Sequence, residues 1–327
     1  MCAVIASAFN TLNLPRWLGF PLYMLLAKLL FPKKAEKPEE SDILPATVQA
    51  EAAPSSSDAT IEPQSMASIS TLPNGDIRIG FPGGVELTMV KIKAGSFLMG
   101  SPEKESGRDS QEKQHMVTLT NDYWLGKFLV TQGHWKAVMG DNPARFQKGD
   151  NYPVEYVSWN DARKFCVKLN ELCASQLPQG YRFDLPTEAQ WEYACRAGTA
   201  TALNNGKDMT WLQLYIIGVP PLNEVGWYEK NSDSTHEVGK KQPNAWGLFD
   251  MHGNVWEWCR DWYGPYDGDT TDPTGPAGGA AHVARGGSWD YDAKYCRSAT
   301  RESGRPLNRG NDVGFRLALV PVQLAEH

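Results

Sequence analysis

Asn244-Ala-Trp-Gly-Leu-Phe-Asp250-Met-His-Gly253-Asn254-Val-Trp256-Glu257-Trp258-Cys259-Arg-Asp261-Trp262-Tyr263 is the stretch on which the fold turns. Each residue type in it constrains the chain differently. Trp needs a deep pocket and a partner for its indole N–H. Gly permits backbone conformations and close approaches that other residues forbid. Asn and Asp satisfy loop backbone, or offer oxygens to a hard cation. Crowded together they describe a loop-rich domain locked by aromatics, not a helix bundle or a parallel sheet. Beyond a Gly/Pro-rich loop the same style continues in Arg285-Gly-Gly-Ser288-Trp289, Cys296-Arg-Ser-Ala-Thr-Arg301 and Gly314-Phe315-Arg316-Leu317.

Upstream, residues 69–92 read as two or three short strands, with Asn74-Gly75 and Gly83-Gly84 as turns. Residues 95–98 and 116–120 read as further strands. Three helices follow: 131–139 with Thr131 as N-cap, 159–172 capped by Ser158 or Asn160, and 187–197. The last opens on the capping-box order Thr187-Glu188-Ala189-Gln190. Ala162, Phe165, Cys166 and Leu169 share one face of the second; Trp191 and Ala194 face inward on the third. After Thr199 the chain reads as loop punctuated by short strands at 256–258, 284–287 and 313–319. Pattern alone gives a loop-rich α+β domain.

The 327 residues carry a net charge of −6 with scattered Lys and Arg, so no nucleic-acid groove is indicated. Residues 1–34 form an apolar, basic leader. Its apolar part, 12–31, is interrupted by Pro15, Arg16, Pro21 and Lys28, which makes a poor membrane span. Two readings stay open: a membrane-surface helix making weak contact through residues 17–34, or a flexible leader. Residues 35–66, rich in Glu, Ser, Ala and Pro, read as a disordered acidic linker. The folded domain is expected over 67–322, followed by a short tail, 323–327.

The ordered motifs resemble the sulfatase-modifying-factor family, which includes the formylglycine-generating enzyme. Besides the 244–263 stretch they comprise Gly95-Ser-Phe-Leu-Met99-Gly-Ser101, His115-Met-Val-Thr-Leu119, Val130-Thr131-Gln132 with Trp135, Asn142-Pro143, Pro153-Val154 with Val157-Ser158-Trp159, and Leu185-Pro186-Thr187-Glu188-Ala189-Gln190-Trp191-Glu192-Tyr193. The resemblance implies a C-type-lectin-like α+β fold. It also implies a structural calcium ion held by the side chains of Asp250 and Glu257 and the carbonyls of Gly253 and Val255, a ligand set suited to a hard cation. On this reading the 253–256 turn depends on the ion for its order.

At the catalytic centre the sequence departs from the enzyme. Formylglycine-generating members hold copper between two cysteine thiolates, and soft thiolates suit Cu(I). By register those positions fall here on Tyr291 and Ala293, so a copper site is not expected. Ser288, Trp256 and Cys296 are expected to line the equivalent pocket, and no catalytic residue is assigned. Cys166 and Cys195 match disulfide positions of the secreted enzyme, but their partners' positions hold Leu317 and Ser298. That indicates free thiols and a reducing, cytoplasmic compartment. Cys259 and Cys296 read as buried thiols, with a bridge as the alternative. The six histidines form no local ligand pair, which disfavours the non-haem iron of sulfoxide-synthase relatives.

What remains is a binding surface. Asp290, Tyr291, Asp292, Tyr295, Asn308 and Asn311 are the residue types that adaptable paratopes use, and they stand among Gly, Trp and Arg. The expectation is a non-copper, calcium-stabilised module for an unidentified protein or small-molecule ligand. The alternatives are an oxidoreductase making formylglycine with a non-standard metal site, and a retroelement-diversified binding protein on the same scaffold.

Overall fold

Three helices form where the caps predict them, because each cap satisfies backbone groups the first turn leaves open. In this computed structural model, which describes residues 67–322, they are α1 Gln132–Met139, α2 Trp159–Cys173 and α3 Glu188–Arg196. Ser158, not Asn160, caps α2: its Oγ accepts from Asp161 N–H (3.2 Å) and its own N–H donates to Asp161 Oδ2 (3.1 Å). Thr187 and Gln190 make the same reciprocal pair at α3. At α1 the returning group is an imidazole, since Thr131 N–H donates to His134 Nδ1 (3.1 Å). The sequence contained no sign of this, because His is not a usual capping-box residue. A short α4, Pro220–Val225, lies in the stretch read as loop. The expected leader, linker and tail fall outside the described residues. No helix among the described residues is long and apolar enough to cross a membrane.

The early strands are β1 Ser68–Thr71, β2 Ile77–Gly80, β3 Glu86–Ile92, β4 Gly95–Met99, β5 His115–Leu119, β6 Tyr123–Gly126 and β7 Tyr181–Asp184. The later ones are β8 Gly226–Trp227, β9 His252–Gly253, β10 Trp256–Trp262, β11 Thr270–Thr271, β12 His282–Arg285, β13 Arg301–Gly304, β14 Val313–Gly314 and β15 Ala318–Pro321. They assemble into a sheet β1-β2-β3-β6-β15-β7, a second sheet β13-β12-β10-β14, and two smaller ones, β11-β5-β4 and β8-β9. Neighbours are antiparallel except for the two-residue pairings β10–β14, β11–β5 and β8–β9.

Strand β6 escaped the sequence reading for a physical reason. All four residues of β6 are buried, so no apolar–polar alternation marks it. The single strand expected over 313–319 is two strands in different sheets. Arg316 lies in the gap, and its guanidinium points inward to Glu257 (3.0 Å from Nε and from the NH2 nitrogen), to Gly126 O (2.8 Å) and to Phe249 O (2.8 Å). A chain making those bonds cannot also keep a regular ladder.

α2 and α1 pack with Phe183, Phe315 and Leu319 in one core cluster. α3 packs against Val117, Leu125 and Val283 in another. Within this second cluster Trp191 donates its indole N–H to Glu257 Oε2 (2.9 Å). Glu257 thus receives Trp191 and Arg316 together, all three fully buried. Replacing Arg316 by Met strands a buried carboxylate, and the unfolding free energy should fall by about 3–5 kcal/mol. In urea titrations the Arg316→Met/Glu257→Gln double variant should lose clearly less than the sum of the singles.

Candidate functional site

Strand β10 sets two surfaces at once, because successive side chains point to opposite faces. On one face Trp258 lies opposite Ala284, which lies opposite Glu302, while Trp256 lies opposite Val313. All five line an open cleft of about 210 Å3. Ala284 is the small residue in that row and leaves the depression. Gly304 is required beside it, since a Cβ there would run into the Trp258 ring. Tyr291 forms one wall, and Asn308, Arg309, Gly310 and Asp312 form another. Arg309 is tethered at 2.7 Å to Asp161, at the start of α2.

The rings are ordered edge to face. Trp256 and Tyr291 stand 5.4 Å apart at 89°, and Tyr291 and Tyr295 5.3 Å apart at 88°. Burial, then the charges of Asp312, Glu302 and Asp290 with the Tyr295 phenol among them, pushes the Tyr291 phenol up to about 12. The Trp256 indole N–H is buried with no partner, whereas that of Trp258 donates to Val157 O (3.0 Å).

The expected residues distribute unevenly around this cleft. Trp256, Tyr291 and Asn308 line it. Tyr295 braces Tyr291 and also faces a neighbouring cavity of about 370 Å3. Asp290 is exposed at the rim, and Asp292 interacts with Glu229, whose carboxyl burial and the Asp292 contact push up to about 7. Asn311 contributes its backbone carbonyl to Trp289 Nε1 (3.2 Å). Ser288 and Cys296, expected in the pocket wall, are instead fully buried and do not reach the cleft; Cys296 packs in a third cluster with Ala293. Glu302 and Asp312 stand in the 302–304 and 307–312 segments that the sequence offers for the binding surface, and both line the cleft. Trp258 was not singled out as a cleft residue; the alternation Trp256-x-Trp258 pointed to it but could not say which strand would lie beside.

No thiolate pair forms among the described cysteines. Cys166, Cys173, Cys195, Cys259 and Cys296 are free and buried. Burial pushes the thiols of Cys166 and Cys195 up to about 12, and those of Cys259 and Cys296 well above the usual range. Cys259 and Cys296 sit in different clusters, so the bridge held open from the sequence does not form.

The residues expected to hold calcium meet a divided environment. Asp250 is buried in a left-handed backbone conformation (φ 57°). Its Oδ2 accepts from Gly239 N–H (2.7 Å), while Oδ1 is buried without a partner. Burial lifts its carboxyl to about 6. An orphaned carboxylate oxygen fits a hard cation. Glu257 fits less well, because both its oxygens already receive Arg316. The backbone of the turn between them is also held by hydrogen bonds. Gly253 N–H donates to Gly286 O (2.7 Å), Asn254 N–H to Trp227 O (2.9 Å) and Trp256 N–H to Asp312 O (2.8 Å). Gly253 is itself obligatory there, since at φ 86° a Cβ would strike the Trp227 carbonyl.

Behind the 310–314 loop Glu155 is fully buried, with Oε1 accepting from Phe146 N–H (2.7 Å) and Oε2 unpartnered. Burial raises its carboxyl to about 7. The folded state therefore holds a proton that the unfolded chain has released, and stability falls as pH rises from about 4.5 through about 7. Thermal melts across that range should show a shallower fall for Glu155→Gln than for the wild type.

The model of the sulfatase-modifying factor enzyme 1-like domain matches residues 84–320. The formylglycine-generating enzyme of Streptomyces coelicolor is 34% identical over 213 residues, an alignment covering 60% of this chain and 60% of that protein. The chaperone protein LppX of Paenibacillus barcinonensis is 31% identical, over 62% of this chain and 78% of its own. Among solved structures, Treponema denticola variable protein 1 superposes with a TM-score of 0.64 at 32% identity, covering 78% of this chain and 99% of that one. The mixed architecture of few helices and curled sheets is the lectin-like fold of these relatives.

Proposed function

Because this chain belongs to the sulfatase-modifying factor family, we propose that it is a ligand- or protein-binding module that does not generate formylglycine. One observation carries this reading. By the register of the family resemblance the copper-thiol positions fall on Tyr291, which stands in an aromatic cleft wall, and on Ala293, which packs in a buried cluster. The neighbouring thiol, Cys296, is held protonated away from the cleft. Two soft anionic ligands are what a linear Cu(I) site requires, and no described pair of side chains supplies them here. Relatives named as a chaperone and a variable protein support a binding role on the same fold. Free buried thiols support a reducing, cytoplasmic setting. The contact proposed for residues 17–34 with a membrane surface rests on sequence alone.

The experiment is direct. Protein reconstituted with Cu(I) or with Fe(II) is incubated under oxygen with a Cys-x-Pro-x-Arg peptide, and the peptide is weighed by mass spectrometry. An unchanged cysteine is expected. Conversion to formylglycine, or tight stoichiometric copper, would return the chain to the oxidoreductases.

A structural calcium ion is part of the same proposal, with Asp250 Oδ1 as the open ligand and Glu257 shared with Arg316. Such an ion stabilises the fold by mass action, about 2.7 kcal/mol at 100-fold excess over its dissociation constant. Calcium should raise the melting temperature of the wild type above that in chelator. In Asp250→Asn the increment should vanish. If wild type melts identically in both, Asp250 only closes the turn and the ion is struck out.

A further inference from the structure

The cleft over β10 gathers carboxylates that are not held in ion pairs among the described residues. Glu302 and Asp312 line it, and Asp290 stands close enough to Asp312 to raise its carboxyl after burial has done so. None of the three joins an ion pair among the described residues, and the one cation in the lining, Arg309, is committed to Asp161. The carboxylates come from three segments: strand β13, the loop after it, and the loop after Ser288. They converge on an aromatic corner, because the Trp256 and Tyr291 rings meet at 89°. A cation within about 6 Å of such ring faces is attracted by their quadrupoles.

A second feature points to a ligand independently of the charge. Trp256 is only 2% exposed and forms the floor of the cleft, yet its indole N–H has no acceptor. Buried donors are satisfied in folded proteins by protein, water or ligand. An acceptor offered with a positive charge a few bonds away meets both demands of the cleft.

We propose that the cleft receives an alkylammonium side chain, that of a lysine in a peptide, with a peptide carbonyl accepting from Trp256 Nε1. A compact point charge suits carboxylates arriving from different directions, whereas a guanidinium fork asks for one coplanar carboxylate. The proposal rests on the binding reading above and names its ligand class.

The full chain is titrated with Nα-acetyl-lysine N-methylamide, its neutral norleucine analogue and its glutamate analogue, followed by tryptophan fluorescence and calorimetry. The lysine compound should bind at least about tenfold more tightly than the norleucine compound, with affinity falling as salt rises. Glu302→Gln, at an exposed rim position that leaves folding intact, and Asp312→Asn should each weaken the lysine compound about fivefold. Equal or better binding of the norleucine or glutamate compound overturns the ammonium assignment and leaves the binding module standing. No binding of any of the three overturns the assignment alone. No binding together with formylglycine in the peptide assay overturns both.

Discussion

A single guanidinium, that of Arg316, holds the two main sheets in register. It bonds Glu257 on β10, the Gly126 carbonyl at the end of β6 and the Phe249 carbonyl before the central turn. Glu257 in turn receives the Trp191 indole from α3. Four segments distant in sequence thus meet at one ion pair with no exposure to solvent. Desolvating two charges is costly, and their attraction repays it only when geometry and further hydrogen bonds are good. Here the guanidinium donors find carbonyls as well as the carboxylate, which makes the arrangement specific to one docking of the sheets.

The same solution recurs across the inner face of the second sheet. Glu192 on α3 accepts from Arg196 (2.8 Å) and from Gly100 N–H (2.8 Å), and is paired with buried Arg285. Glu188 takes Arg301 through both oxygens, at 2.6 and 2.8 Å. Arg297 bonds Glu112 and Glu105. Loops without regular ladders leave many backbone groups to satisfy, and long polar side chains reach them where strands cannot. A loop-rich fold therefore carries an unusually charged interior, and its specificity rests on pairing as much as on apolar packing.

That interior decides the chemistry of the opposite face. With Glu257 and Arg285 turned to one face, Trp256, Trp258, Ala284 and Glu302 must turn to the other face of the same strands, where the tryptophans and Ala284 are buried in the first core cluster and Glu302 is exposed. The cleft is the consequence of this register. Its carboxylates lie apart from the inner guanidinium groups, which are already committed. The strands that floor the cleft are fixed from behind, so the loops that wall it are free to vary without disturbing them.

Much of this was legible in the sequence because it is local. Thr131, Ser158 and Thr187 announce their helices through bonds spanning three residues. Asn74-Gly75 announces the first hairpin. What the sequence could not decide depends on which distant segments meet. Trp256-Glu257-Trp258-Cys259 alternates, and simple patterning would bury the tryptophans and expose the glutamate. The fold buries both faces, and Glu257 is buried as completely as the tryptophans because Arg316 arrives from fifty-nine residues away. Asp312 and Glu302 become cleft residues, and Ser288 and Cys296 do not, for the same reason. Spacing along the chain fixes which side of a strand a residue occupies, but only the meeting of remote segments decides that both sides of β10 are covered, the charged side by paired groups.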